Sequence, residues 1–172
     1  QRLALRPLTA GEVKQDLRAA GVEAERAALA GRLAVGGQIR AEDVVDEGFD
    51  SLRETVERFI DAALHGREDD YWDLLEAFGG RPDKQRMEGF LELCSTYLRD
   101  VLLMQMERAQ GVVHSDRSTH LSAWQGRLPE RGLDHAARMI DEAYDGLMRN
   151  VSPQLLLADL WYQLRRSGAA AG

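Results

Sequence analysis

Apolar residues recur at three- and four-residue spacing along almost the whole chain, which is the period of amphipathic α-helices. One such stretch places apolar side chains at Leu52, Val56, Phe59, Ile60, Ala63 and Leu64. No stretch of strict alternation between apolar and polar residues is long enough to predict a sheet. The pattern therefore predicts an all-α fold.

Capping and turn residues place the first helices. Thr9 and Glu12 have the spacing of a capping box, in which each side chain satisfies a free amide of the first turn. Gly21 predicts the end of that helix, a second helix is expected at about 23–34, and a shorter third one at about 38–47. Residues 1–47 therefore read as a small three-helix module, with Gly48 as the favoured hinge.

The rest of the chain predicts a bundle of five or six helices over residues 48–167, followed by a flexible tail at 168–172. Ser51 and Glu54 repeat the capping-box pattern, and Ser152 followed by Pro153 is typical of a helix start, because proline lacks an amide hydrogen that would be unpaired there anyway. The expected helices lie at about 51–64, 68–78, 83–110, 116–125, 131–149 and 153–166.

The longest predicted helix is apolar on more than one face. Apolar or aromatic side chains occupy 12 of the 20 positions from 87 to 106. Such a helix is either central in its own bundle or shared with another chain, and the last helix repeats the pattern. Both interpretations stay open. The residues favoured for subunit contact are Tyr97, Val101, Leu102, Met104, Leu156, Leu160 and Trp161.

Composition and charge limit the function classes. The chain has 172 residues, 44% of them hydrophobic and 30% charged, as expected of a globular protein. A net charge of -7 gives no general attraction to nucleic acid phosphates. The single cysteine, Cys94, excludes an internal disulfide and a cysteine-based metal site, and it fits a reducing cytoplasm. The longest apolar run is far too short to span a bilayer.

Residues with catalytic or ligand chemistry are few. His114, Asp116 and His120 lie within seven residues of one another, but a metal site needs a further strong ligand, so a polar inter-helix connection is favoured. No phosphate-binding loop, nucleophile elbow or zinc-protease motif is present. We therefore expect no catalytic residues, no metal and no cofactor in this chain. Cys94 is expected to be an inert core thiol, and the three tryptophans are expected to be core or interface anchors.

Two segments resemble clamp-loader subunits of bacterial DNA polymerase III. Residues 1–9 and 33–41 are similar to the lid of these AAA+ proteins, whose Gly-Ser-x-x-Arg-Ala pattern carries the sensor-2 arginine; here Gly37 replaces the serine and Arg40 takes that position. Residues 150–157 read NVSPQLLL. They are similar to the Asn-Val-Asn-Pro-Gln-Leu-Leu-Leu signature of the delta prime subunit, with Ser152 in place of the second asparagine.

The resemblance covers nearly the whole chain. It implies that residues 1–47 are the AAA+ lid and that residues 48–167 are the helical collar through which subunits form a ring. The ATPase core, with its nucleotide-binding loop and zinc module, would precede Gln1, so we expect this chain to be a fragment that does not hydrolyse ATP itself, although part of the DNA polymerase III holoenzyme. Its implied partners are the other clamp-loader subunits. The sliding clamp and primed DNA would be reached only through the full assembly.

Alternatives remain. The gamma/tau ATPase subunit is the nearest one, but its lid usually reads Gly-Ser-Leu-Arg-Asp-Ala, which places the arginine one residue earlier than Arg40 and so favours delta prime. In delta prime, Arg40 would have no nucleotide to sense. The second alternative is an unrelated helical protein-interaction adaptor. The third is an enzyme with a site between helices, for which only scattered histidines and acidic residues are candidates.

Overall fold

The computed structural model describes residues 8–34, 39–77 and 83–169. In these ranges the backbone forms nine α-helices and no strand, so the predicted all-α fold is confirmed. The helices are α1 (Ala10–Ala19), α2 (Ala24–Ala34), α3 (Ala41–Val45), α4 (Gly48–His65), α5 (Glu68–Ala77), α6 (Lys84–Gln105), α7 (Ser118–Gln125), α8 (Glu130–Met148) and α9 (Pro153–Ala169), with 3-10 turns at Ala109–Gly111 and Ser115–Arg117.

The chain divides into two compact units, Gln1–Phe49 and Asp50–Gly172. The sequence placed the division at Gly48. In the structure Gly48 is the first residue of α4, so the division falls within the first turn of a helix.

The first unit is held together by short-range helix packing. The predicted capping box opens α1: the Thr9 amide donates to the Glu12 carboxylate at 2.8 Å, and the Glu12 amide donates to the Thr9 hydroxyl at 3.3 Å. α1 packs against α2. A Cβ atom on Gly31 of α2 would lie 2.5 Å from the carbonyl oxygen of Ala10, so only glycine permits this approach.

The second unit is built around α6. This helix packs against α7 and α8, and Phe59 of α4 meets Phe90 of α6 edge to face, with ring centroids 5.1 Å apart. Burial of α6 within its own unit accounts for much of its apolar breadth. The buried side chains are Met87, Phe90, Leu91, Leu93, Cys94, Tyr97, Leu98, Asp100 and Val101.

Cys94 lies in this core with 2% of its surface exposed, and burial raises the pKa of its thiol. A thiol with a raised pKa stays protonated and is a poor nucleophile. The predicted core position of Cys94 is therefore confirmed.

Two predicted helix boundaries are wrong. α4 begins three residues before the expected capping box, and Ser51 lies inside the helix, where its carbonyl accepts the Thr55 hydroxyl at 2.7 Å. α6 ends at Gln105 rather than near 110. Glu107 takes a left-handed φ of 57°, and the amide of Arg108 bonds back to the carbonyl of Leu103 at 2.8 Å, which closes the helix. A glycine normally marks a helix end of this kind in a sequence. Here Glu107 takes the glycine position, so no residue in the sequence indicated that α6 ends at Gln105.

No helix in the described ranges combines the length and apolarity needed to cross a membrane.

Candidate functional site

The residues predicted for subunit contact on α6 differ in accessibility. Tyr97 and Val101 are fully buried in the unit's own core. They have no free surface with which to contact a partner, and their predicted role is corrected accordingly. Leu102 and Met104, on the last turns of α6, are half-buried and keep some exposed surface.

On α9 the predicted face is mostly the wrong one. Leu160 and Trp161 are buried, at 3% and 8% exposure, so the prediction that they contact a partner is corrected too. Leu156 is half-buried, and its Cδ2 atom would lie 2.8 Å from a Cβ on Gly146 of α8. Leu156 therefore lies in the contact between α8 and α9. The large apolar side chains that the described part of α9 exposes to solvent are Leu155 and Tyr162, at 66% and 54%.

Three exposed apolar side chains lie on the segment that leads from the end of α8 into α9. Met148, Val151 and Leu155 are 42%, 38% and 66% exposed and lie within eight residues of one another along the chain. We call these three the corner patch. Tyr162 lies seven residues after Leu155, which is about two helical turns farther along the same side of α9.

The corner beside this patch is tightly built. Asn150 takes a left-handed φ of 62°, a conformation that asparagine tolerates better than most residues. The amide of Val151 donates to the carbonyl of Gly146 at 3.0 Å, and the amide of Asn150 donates to Leu147 at 3.1 Å, which together form a Schellman motif. Pro153 then opens α9 as predicted. Asn150 and Pro153 therefore each have a structural reason for their residue type.

A second feature is a buried polar cluster that the sequence did not predict. Arg53 of α4 is 2% exposed, and its guanidinium donates to both carboxylate oxygens of Asp116 at 2.9 and 3.1 Å. Burial alone would lower the pKa of Arg53, but the hydrogen bonds and charge of Asp116 raise it. Burial likewise pushes the pKa of Asp116 up, and the bonds from Arg53 bring it below its ordinary value. Both groups therefore stay charged.

His114 is fully buried in this cluster and stacks on the ring of Tyr97, with centroids 3.8 Å apart. Thr96 gives its hydroxyl proton to the carbonyl of Leu93 at 2.9 Å, so its oxygen accepts the bond from His114 Nε2 at 3.1 Å. The other ring nitrogen, Nδ1, then accepts from Arg53 at 3.2 Å. The hydrogen bonds thus select the neutral tautomer of His114 protonated at Nε2.

The same cluster ties the segment after α6 to the helices. The carboxylate of Asp100, fully buried on α6, accepts the amides of Val113 and His114 at 3.0 and 2.7 Å. The hydroxyl of Tyr97 donates a short bond to Glu57 of α4. Burial raises the pKa of Tyr97, so it remains a donor. These contacts tie α4, α6 and the segment after α6 to one another.

The histidines and acids singled out from sequence do not converge as ligands. Both ring nitrogens of His114 are engaged, and Asp116 binds Arg53. Nε2 of His120 lies 3.9 Å from Glu57. In the ranges that the structure describes, no group of three or more metal-ligating side chains could hold an ion.

Arg40 lies just before α3, with its side chain 71% exposed and ion-paired to Glu42. Gly37, which belongs to the same sequence pattern, lies outside the described residues. The described part of this segment therefore presents an accessible arginine.

Comparison with protein-family models, with curated proteins and with solved structures finds no match to the chain. A functional interpretation therefore rests on the chain's own residues and their geometry.

Proposed function

We propose that the chain is the lid-and-collar part of a bacterial clamp-loader subunit of the delta prime type, and that it acts by docking onto other subunits of the DNA polymerase III clamp loader. The corner between α8 and α9 carries the proposal. Residues 150–157 fit the family signature at every position except Ser152. Two residues of the corner patch, Val151 and Leu155, lie on this same segment and expose apolar surface.

The exposed surface supports a docking role. Leu155 is two-thirds exposed although it belongs to a run of three leucines. Apolar side chains gathered in one place on a surface are typical of protein–protein contact sites. The polar side chains of the buried cluster around Arg53 form hydrogen bonds that hold α4, α6 and the segment between α6 and α7 together. This favours an assembly role over catalysis.

In this role the unit Asp50–Gly172 would hold subunits in a ring, while ATP-driven changes in the cores open the sliding clamp and place it on primed DNA. The unit Gln1–Phe49 would be the lid, with Arg40 at the sensor-2 position. The position of Arg40 favours delta prime over gamma/tau. The protein would act in the cytoplasm, where chromosome replication takes place in bacteria.

A binding experiment tests the proposal directly. The chain is mixed with purified clamp-loader subunits encoded by the same genome, and complex formation is followed by size-exclusion chromatography with light scattering. We expect Leu155→Glu to abolish the complex without unfolding the chain, because the side chain is already exposed. Met106→Glu, at another apolar side chain that is 49% exposed, is the matched control and is expected to leave the complex intact.

Absence of a complex with the unsubstituted chain would refute the proposal. If Leu155→Glu and Met106→Glu weaken the complex equally, the corner patch is not the contact site. Hydrogen exchange adds a second readout, since amides at the start of α9 should be protected on binding. The reading frame upstream of Gln1 separates the alternatives: an AAA+ core with an intact phosphate-binding loop favours gamma/tau, a core without one favours delta prime, and no such core favours an unrelated adaptor.

A further inference from the structure

An exposed tryptophan marks a second surface, on α5. Trp72 is 65% exposed, whereas Trp124 and Trp161 are buried at 0% and 8%. Its ring meets Tyr71 edge to face, with centroids 5.4 Å apart. The sequence predicted all three tryptophans to be core or interface anchors, and the structure rules out a core position for Trp72. Leaving a large indole in water is unfavourable, so a partner that covers it would gain that burial.

Acidic residues surround this indole on the same helix face. Asp69, Asp73 and Glu76 share the face with Trp72, because positions 69, 72, 73 and 76 follow the three- and four-residue spacing of a helix. All three are exposed. We call these four residues the Trp72 face.

The carboxylates of the Trp72 face differ from their neighbours in pairing. Glu68 is paired with Arg165 at 2.6 Å, and Asp70 is paired with Arg67. No ion pair within the described ranges involves the three acidic residues of the Trp72 face. Three negative charges without an ion pair among the described residues therefore flank an exposed aromatic ring, and this combination is complementary to a cationic partner.

The chain uses the same chemistry for its own packing. The guanidinium of Arg165 lies 5.3 Å from the ring centre of Trp161, and its Nη1 atom is 2.6 Å from Glu68. An arginine is thus held between a tryptophan and a carboxylate. Arginine suits this arrangement better than lysine, because its planar group stacks on the ring while its N–H groups bind the acid.

We propose that the Trp72 face binds an arginine-rich helical segment of a partner protein. One guanidinium lies over the indole of Trp72, and arginines one turn away pair with Asp69, Asp73 and Glu76. This surface is separate in sequence from the corner patch, and the inference does not depend on the clamp-loader proposal.

The test uses the full chain and a fluorescein-labelled helical peptide of about five turns with arginine at every fourth position. Binding is measured by fluorescence anisotropy at low salt, with a lysine peptide and a glutamate peptide of matched sequence. We expect the arginine peptide to bind, the lysine peptide to bind several-fold more weakly, and the glutamate peptide not to bind. Raising the salt should weaken the complex, because exposed charge pairs are screened.

Three variants locate the contact. Trp72→Ala should weaken binding roughly tenfold, in line with a cation–π contact. The triple change Asp69→Asn, Asp73→Asn and Glu76→Gln keeps size and shape and should weaken binding by at least as much. Tyr162→Ala is the matched control, since Tyr162 is an exposed aromatic residue on α9, and it should bind like the unsubstituted chain. Circular dichroism verifies that all the variants remain folded.

Wild-type affinity in both Trp72→Ala and the triple variant overturns the proposal, and so does an equal loss in Tyr162→Ala. Two further measurements test other occupants. Self-association of the chain that Trp72→Ala abolishes in sedimentation would show that a second copy covers the face, against the proposal. Binding to phosphatidylcholine vesicles that the same change abolishes would assign the face to a lipid surface, again against it.

Discussion

Replacing Arg53 by methionine tests the buried cluster. Methionine keeps the apolar stem that packs beside α6 but removes every donor of the guanidinium. His114 Nδ1 then loses the bond from Arg53, and Tyr97 loses a long bond of 3.4 Å. Asp116 loses both of its bonds to the guanidinium.

The expected cost follows from how much water reaches each partner. The bond to buried His114 matters most, because a buried acceptor deprived of its donor costs about 1–3 kcal/mol. Asp116 contributes less, at roughly 0.5 kcal/mol, since its side chain is 47% exposed and solvent replaces the lost bonds. Removing the desolvation of the buried cation offsets part of the loss. We expect Arg53→Met to lower the free energy of unfolding by about 2 kcal/mol.

Tryptophan fluorescence in urea measures this change. Trp72, Trp124 and Trp161 all belong to the unit Asp50–Gly172, so the signal reports the unfolding of that unit alone. With a urea slope of about 1.5 kcal/mol/M, the midpoint should fall by roughly 1.3 M. Arg99→Met, at an exposed position on α6, is the control and should leave the midpoint unchanged. A shift for Arg53→Met no larger than that of the control would refute the importance given to the His114 bond.

Three further outcomes are expected. Gly31→Ala places a methyl group against a backbone oxygen, so it should lower the free energy of unfolding of the unit Gln1–Phe49 by about 1–3 kcal/mol. Faster hydrogen exchange in α1 would show this loss. Gly11→Ala is the control, because its nearest neighbour lies at 4.0 Å, and it should leave the exchange rates unchanged. Asn150→Ala should lower the free energy of unfolding of the second unit by about 1 kcal/mol in thermal denaturation, because alanine disfavours the left-handed backbone of this position. Asn150→Gly should leave that free energy unchanged, since glycine adopts this conformation readily. The pKa of Asp116 is lowered in the folded state, so its stabilisation is present above its unfolded pKa of about 4 and is lost as the pH falls through the folded pKa. Asp116→Asn should therefore flatten the acid loss of stability below about pH 4, and an unchanged slope would contradict this reading.

Local signals in the sequence predicted local structure well. The Thr9–Glu12 pair forms a capping box, and Pro153 begins α9, because each of these signals acts through bonds within a single turn. The same reasoning failed at Ser51, because α4 begins three residues earlier, at Gly48. It also missed the end of α6, where Glu107 adopts a conformation that glycine usually takes.

Long-range features were not predictable in the same way. Arg53 and His114 meet across 61 residues, and no local pattern indicates that pairing. α9 carries apolar residues on most sides, so its period could not show that Leu160 faces the core and Leu155 faces solvent. The helices packed against it decide that orientation. The excess of apolar residues on these helices indicated that some apolar side chains would stay exposed. It could not indicate which side chains those would be.

The buried thiol of Cys94 can report how often the core of the second unit opens. It is the single cysteine of the chain and is almost completely enclosed by the core around α6. A thiol-specific reagent can therefore modify the native protein only after that core opens, and one colour change then corresponds to one opening event per molecule. Labelling rates in water, without denaturant, would give the opening frequency of the α6 core and show directly whether a bound partner slows it.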